Sequence, residues 1–343
     1  MYAQSESFQQ YWYPGSANNR YIFNFSSGVL EINSPGFPLV PEDTENFGNV
    51  ITLPDGSGYS LLGRYLMDSD FKVVSKSEGI FDNLAFNIAN CAFAPDTDNL
   101  QNALLYFIDA DTMKYAHITH NPFQESVVDV LIEVPLALDP AANSPLSIQG
   151  DTQGHGNWLF YITHTQETYA LVCVFCQGNQ TQNSSHVFLP PGGVPVSIDI
   201  QGNRLTIVRD DNTLVYGTFI RSEQGVYFQW QNLISNLTDN FVQSAFSKDG
   251  TLLFYTTDTD SQYQLHAFNV ITGTTVDTPL AGHYFALKRG PDNIIYGLSM
   301  KGASPSTLLA ITPTNKMDEF SISEILTPAN GGFFPSTAWV DLY

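Results

Sequence analysis

The chain has 343 residues, of which 43% are hydrophobic, 13% aromatic and only 14% charged. Its 13 Lys and Arg face 34 Asp and Glu, a formal net charge of −21, which excludes the clustered cations that nucleic acid or an anionic membrane surface would require. No apolar run approaches the roughly 18 residues of a membrane span, and membrane insertion is not expected.

Residues 1–10, "MYAQSESFQQ", read as a disordered N-terminus or the remnant of a signal-peptide region. Ala3-Gln4 has the small-residue look of a cleavage site but lacks an apolar stretch before it. From "YWYPGSANNRYIFNFSSGVLEI" onward, apolar residues recur mostly at two-residue spacing, the period of strands. "VITLPDGSGYSLLG" turns at Asp55-Gly56, and "CAFAPDTDNLQNALLYFIDADTMKYAHI" near Asp96. "LSIQGDTQGHGNWLFYITHTQETYALVCV" turns near Gly150, and "VSIDIQGNRLTIVRDDNTLVYGTFI" at Gly202-Asn203. In "SAFSKDGTLLFYTTDTDSQYQLHAFNVITG" a Lys-Asp-Gly turn precedes an apolar strand; "TDTDSQ" then reads as a second turn and Thr272-Gly273 as a stop. "FALKRGPDNIIYGLSM" turns at Asp292-Asn293.

Successive turns lie about 40 to 55 residues apart, the spacing of four-stranded propeller blades. Six internal units, with one blade shared between the N-terminal strands and "PSTAWVDLY", predict a single all-β domain over 11–343. It would be a seven-bladed β-propeller closed by pairing of its terminal strands, which hides the sheet edges. The apolar, aromatic ends argue against a solenoid, which needs polar capping repeats. No stretch sustains a helical period.

Several phrases resemble one group of proteins. "QQYWYPGSANNRYIFNF" is similar to the opening strand of β-propeller regions in secreted Bacteroidetes surface proteins, exported by the gliding-associated (type IX) route. "GNWLFYITHTQETYALVCV", "VQSAFSKDGTLLFYT", "LKRGPDNIIYGL" and "GGFFPSTAWVDLY" resemble later phrases of that group in the same order. "SLLGRYLMDSD" departs from it, and the sorting and immunoglobulin-like domains that often follow are absent from this sequence. The resemblance implies a propeller without a catalytic role, located outside the cell or on its surface within large adhesion-like proteins.

Of the nucleophile, P-loop, dinucleotide and zinc-protease signatures, none occurs. "HITH" at 117–120 invites a metal reading, but within a strand i and i+3 point to opposite faces unless His120 lies in the turn. His155, in "QGHGN", and His164, near a strand end, are candidate binding residues, as are Trp158 and Trp230, whose rings could stack on a sugar. Repeated Asp-x-Asp pairs, above all Asp258/Asp260, offer part of the oxygen shell of a structural Ca²⁺; no other cofactor is expected. Sequons stand at Asn24, Asn179, Asn183 and Asn236; Asn24 falls in a strand, whereas Asn179, Asn183 and Asn236 are candidate glycosylation positions. For Cys91, Cys173 and Cys176, free buried thiols, a local disulfide and pairing with Cys91 all fit.

Together these features predict a non-catalytic binding or assembly propeller with other surface proteins or glycans as partners, or a self-assembling subunit. The rival expectation is a propeller enzyme (glycoside hydrolase, lyase or lactonase) with acidic residues converging at the mouth of the central channel.

Overall fold

The computed structural model describes residues 90–325 except 121–126, 151–155, 166–167, 179, 223–224, 236–239, 260–261, 277–282, 291, 302–303 and 314–318, together with strand segments between 11 and 74. The described elements are strands, with no α-helix among them. Five four-stranded antiparallel meanders follow one another. They comprise Cys91–Pro95 to Val127–Glu133, Leu146–Gly150 to Gln180–Phe188, Pro195–Gln201 to Gly225–Ser235, Asn240–Phe246 to Thr274–Val276, and His283–Arg289 to Phe320–Ile325. We refer to them as sheets A to E. A three-stranded sheet over Phe47–Thr52, Gly58–Leu62 and Tyr65–Asp68 precedes them, and three short strands between Tyr11 and Asn33 form another. The architecture is a β-propeller. Residues 1–10, the Asp55-Gly56 turn and the C-terminal "PSTAWVDLY" lie outside the described residues, and with them the expected closure of the ring.

Each sheet buries both faces, so its middle strands are apolar in runs rather than in alternation. Ala103–Asp109 and Asn157–Thr165 are buried almost throughout. The core is divided into layers between consecutive sheets. Phe93, Phe107 and Tyr59 share one layer, and Tyr106, Leu159 and Tyr161 the next. Phe160, Ile207 and Phe219 form the third, Tyr216, Leu253 and Phe268 the fourth, and Phe254, Leu265 and Leu309 the fifth. Burying one such side chain contributes about 1.5–3 kcal/mol, so the sheet-to-sheet layers are the main source of stability.

The first strand of each sheet touches the first strand of the next, which makes these the inner strands of the ring. Glutamines tie them together. Gln149 Nε2 of sheet B donates to Gly202 O of sheet C at 2.8 Å. Gln201 Oε1 of sheet C accepts from Phe246 N of sheet D, and Gln243 Oε1 of sheet D accepts from Leu287 N of sheet E, both at 2.9 Å. Buried backbone groups that the strand ladders leave open are thereby satisfied across the layers.

Candidate binding face

All inner strands begin at one end of the propeller, where the chain crosses from the outer strand of one sheet to the inner strand of the next. We call this end the crossover face. Two crossovers are held rigidly there. In the segment after Glu133, Tyr161 OH donates to Leu138 O at 2.6 Å, Thr163 Oγ1 donates to Asp139 O at 2.7 Å and Ala141 N donates to Ile162 O at 2.8 Å. In "LPPGGVPV", the buried Arg209 donates to Pro190 O at 2.6 Å and Pro191 O at 3.2 Å. Val194 N donates to Asp210 Oδ1 at 2.7 Å, while Asp210 N donates back to Val194 O at 3.0 Å. A Cβ at Gly192 would collide with the Arg209 guanidinium, and one at Gly193 with the Asp210 carboxylate. The two glycines are therefore what lets the loop lie against the strand end.

Four of the inner strands, those of the three-stranded sheet and of sheets C, D and E, also carry a local irregularity at this end. Register shifts fall between Phe47 and Val50, Pro195 and Ser197, Phe241 and Ser244, and Tyr284 and Ala286. Each is a bulge, which bends the strand and re-aims side chains at a rim. The residue left over in sheet C is Val196, 47% exposed, and Val194 just before it is 44% exposed. Phe188, at the same end of the outer strand of sheet B, is 55% exposed. Apolar side chains thus stand in solvent on a braced loop and an inner rim.

The opposite face carries a cluster of titratable groups around Asp96, His117 and His120. His117 Nε2 lies 3.0 Å from Asp96 Oδ2 and 3.5 Å from Asn102 Nδ2. His120 follows the end of strand Thr112–Thr119; its backbone N donates to Asn102 Oδ1 at 3.1 Å, and its ring Nδ1 lies 3.2 Å from Tyr59 OH. Burial would raise the Asp96 carboxyl, but the hydrogen bonds to His117 and Asp98 hold it below the ordinary carboxylate value. Asp96 also accepts from Asp98 N, an Asx turn that shapes the Asp96–Asn102 loop. The cluster pairs a carboxylate with an imidazole, but both are wired into a turn and a strand. His117 and His120 send their rings to different partners, and no group of three metal-ligating side chains forms among the described residues.

The sequence-predicted residues are dispersed. Trp158 is buried in the layer between sheets B and C, its ring centroid 5.1 Å from that of Phe175. Trp230 packs against the same layer, stacks on Phe228 and donates from Nε1 to Phe188 O at 3.1 Å. Both tryptophans join sheets; Trp158 is buried there, whereas Trp230 keeps part of its ring exposed. His164 is exposed at the crossover end, 4.8 Å from its cross-strand partner Tyr169. His155 and Asp260 lie outside the described residues. Asp258 is not in a turn, as "TDTDSQ" suggests, but within the strand Leu252–Thr259, where its cross-strand neighbour is Tyr263. Asn183 is exposed on the outer strand of sheet B with φ +48°; Asn179 and Asn236 lie outside the described residues. The three cysteines are free and buried. Burial raises the Cys173 thiol and pushes Cys176 up to about 12.

No protein-family model matches the chain, and no curated protein matches it in sequence. Solved structures share its fold. The β-propeller domain of Myceliophteria thermophila Cps50 (Swd1) aligns over 88% of this chain and 92% of its own, at 11% identity and a TM-score of 0.57. A protein assigned as a 6-phosphogluconolactonase from Bacteroides uniformis aligns over 93% and 97% of the two chains, at 12% identity and a TM-score of 0.55. A protein from Bacteroides fragilis with the same assignment covers 94% and 95%, at 11% identity and a TM-score of 0.55. At such identities the likeness is one of fold.

Proposed function

We propose that this propeller is a non-catalytic binding module, secreted or displayed at the cell surface, that engages protein or glycan partners as part of a larger surface assembly. The observation that carries this reading is the make-up of the inner strands. Across five consecutive sheets "CAFAP", "LSIQG", "PVSIDIQ", "NFVQSAF" and "HYFALKR" bring one carboxylate, Asp199, to the inner strands, and their His, Lys and Arg residues, His283, Lys288 and Arg289, all belong to the last of them. Their amides are engaged in ties between sheets. A hydrolase working at the channel mouth through paired carboxylates needs a second one beside Asp199, and apart from Asp199 the first four of these strands are built of apolar and neutral polar residues. The sequence resemblance to secreted Bacteroidetes propellers supports the extracellular setting.

A second reading, a propeller enzyme of the hydrolase, lyase or lactonase kind, is favoured by the Asp96–His117 pair and by the assignment of two structural neighbours. Light scattering on the protein from its native source separates the two, together with a glycan-array screen. A mass well above 38.0 kDa, or a specific glycan bound and released unchanged, supports the module. A monomer that binds nothing and hydrolyses a lactone overturns it.

A further inference from the structure

The two ends of the propeller differ in charge. Following strand direction through each meander places Asp111, Glu133, Asp139, Asp210 and Asp211, all exposed, at the crossover end. Among residues whose side chains are described, the Lys and Arg at that end are Lys114, paired with Asp109 at 2.7 Å, and Arg209, buried beneath the Pro190–Val194 loop. At the other end Lys72, Lys248, Arg204, Arg221 and Arg289 are interspersed with Asp68, Asp96, Asp98, Asp249, Asp292 and Glu319. Among the described side chains, one end therefore carries an excess of negative charge and the other a mixture. The exposed apolar side chains of Phe188, Val194 and Val196 belong to the negative end; Arg209 and Asp210 fix the backbone of the Pro190–Val194 loop, and Trp230 binds Phe188 O.

We propose that the crossover face, centred on Val194 and Val196, docks a cationic protein segment carrying an aliphatic or aromatic anchor. The inference rests on the binding-module reading and adds the face and the partner class. Charge complementarity selects the occupant: a polyanion would be repelled, and a second copy of this acidic chain presenting the same face would meet like charge. The apolar centre supplies an anchoring site of the kind that interfaces place at their middle, with the carboxylates as a polar rim. The braced loops lower the ordering cost of binding.

The test uses the full chain with short fluorescent peptides of alternating lysine and leucine, and the matching glutamate–leucine peptide as control. Two double variants remove the same charge from opposite ends: Glu133→Gln with Asp139→Asn, and Asp68→Asn with Asp98→Asn. Thermal melts confirm that both remain folded. The expected result is binding of the cationic peptide alone, weakened about tenfold at low salt by the crossover-face pair and less than about twofold by the other. Val194→Ser with Val196→Ser, both solvent-exposed, should weaken it as well. Equal losses from the two charge pairs would reduce the binding to general electrostatics and overturn the proposal. So would failure of the cationic peptide to bind, or a glycan held on this face indifferently to the charge changes. In that last case the binding-module reading survives; it fails on its own terms only if the protein turns over a substrate.

Discussion

Gln201 Oε1 accepts a hydrogen bond from the backbone N–H of Phe246 at 2.9 Å, joining the inner strand of one sheet to the inner strand of the next. Gln201 is 7% exposed and Phe246 2%, so no water replaces the bond if the amide is removed. Gln201→Ala should therefore leave a buried donor unpaired and cost about 1–3 kcal/mol. Gln229→Ala, on the exposed outer strand, should stay within about 0.5 kcal/mol of wild type. Urea unfolding of the two variants side by side checks this. Equal midpoints would mean that the glutamine ties contribute little to holding the sheets together.

Glycine is required at one turn for two reasons and at another for one. Gly250 has φ +64°, and a Cβ there would collide with the Arg204 guanidinium, which donates to Asp249 O at 2.7 Å. Gly273 has φ +72° with open space around it. Gly273→Ala should cost only the left-handed penalty of about 1–2 kcal/mol. Gly250→Ala should cost clearly more, because it also dislodges Arg204 from between sheets C and D. Comparable denaturation midpoints for the two variants would show that Arg204 moves aside freely.

Much of this architecture was legible in the sequence. The Gly202-Asn203 turn joins Gln201 and Arg204 in a tight hairpin, and Asn293, with φ +66°, bends the Asp292-Asn293 turn as its composition suggests. Those signals are local, being the backbone freedom of Gly and Asn between apolar runs. The bulges were not legible, because an inserted residue such as Val196 leaves the apolar pattern nearly intact while turning itself out to solvent. Nor were the glutamine ties, since a glutamine in a strand looks the same whether it faces water or a neighbouring sheet. Trp158 and Trp230 show the converse limit: an aromatic ring suits a sugar and a sheet-to-sheet layer equally well until its surroundings are known. The Asp96–His117 pair spans a hairpin, and only the strand register brings the two together.

Stability should fall in acid. At Asp96, Asp211 and Asp249 burial would raise the carboxyl, but hydrogen bonds outweigh it and hold each below the ordinary 3.8. For Asp96 the main one comes from His117, for Asp211 from Thr213 and Gly193, and for Asp249 from Ser247 and Thr251. A carboxyl depressed in the folded state contributes stability that is present above its unfolded value and lost as pH falls through the folded one. Urea midpoints should be nearly level down to about pH 5 and decline below it, with a shallower decline in Asp96→Asn. An acid dependence unchanged in that variant would contradict the role given to Asp96.

The thiols should be silent in the native protein. Cys91, Cys173 and Cys176 are buried, and burial holds the Cys173 and Cys176 thiols protonated at neutral pH. Iodoacetamide followed by intact-mass analysis should add nothing to the folded chain and three adducts in denaturant. Labelling of the folded protein at Cys176 would show that the layer between sheets A and B opens.

The most direct test of a non-catalytic propeller is a turnover assay aimed at its strongest rival. Hydrolysis of 6-phosphogluconolactone and of simple aldonolactones is followed with purified protein, buffer alone, and a His117→Ala variant. Wild type and variant should both match the buffer rate. A saturable rate in the wild type that is lost in His117→Ala would contradict it and make the Asp96–His117 pair an active site.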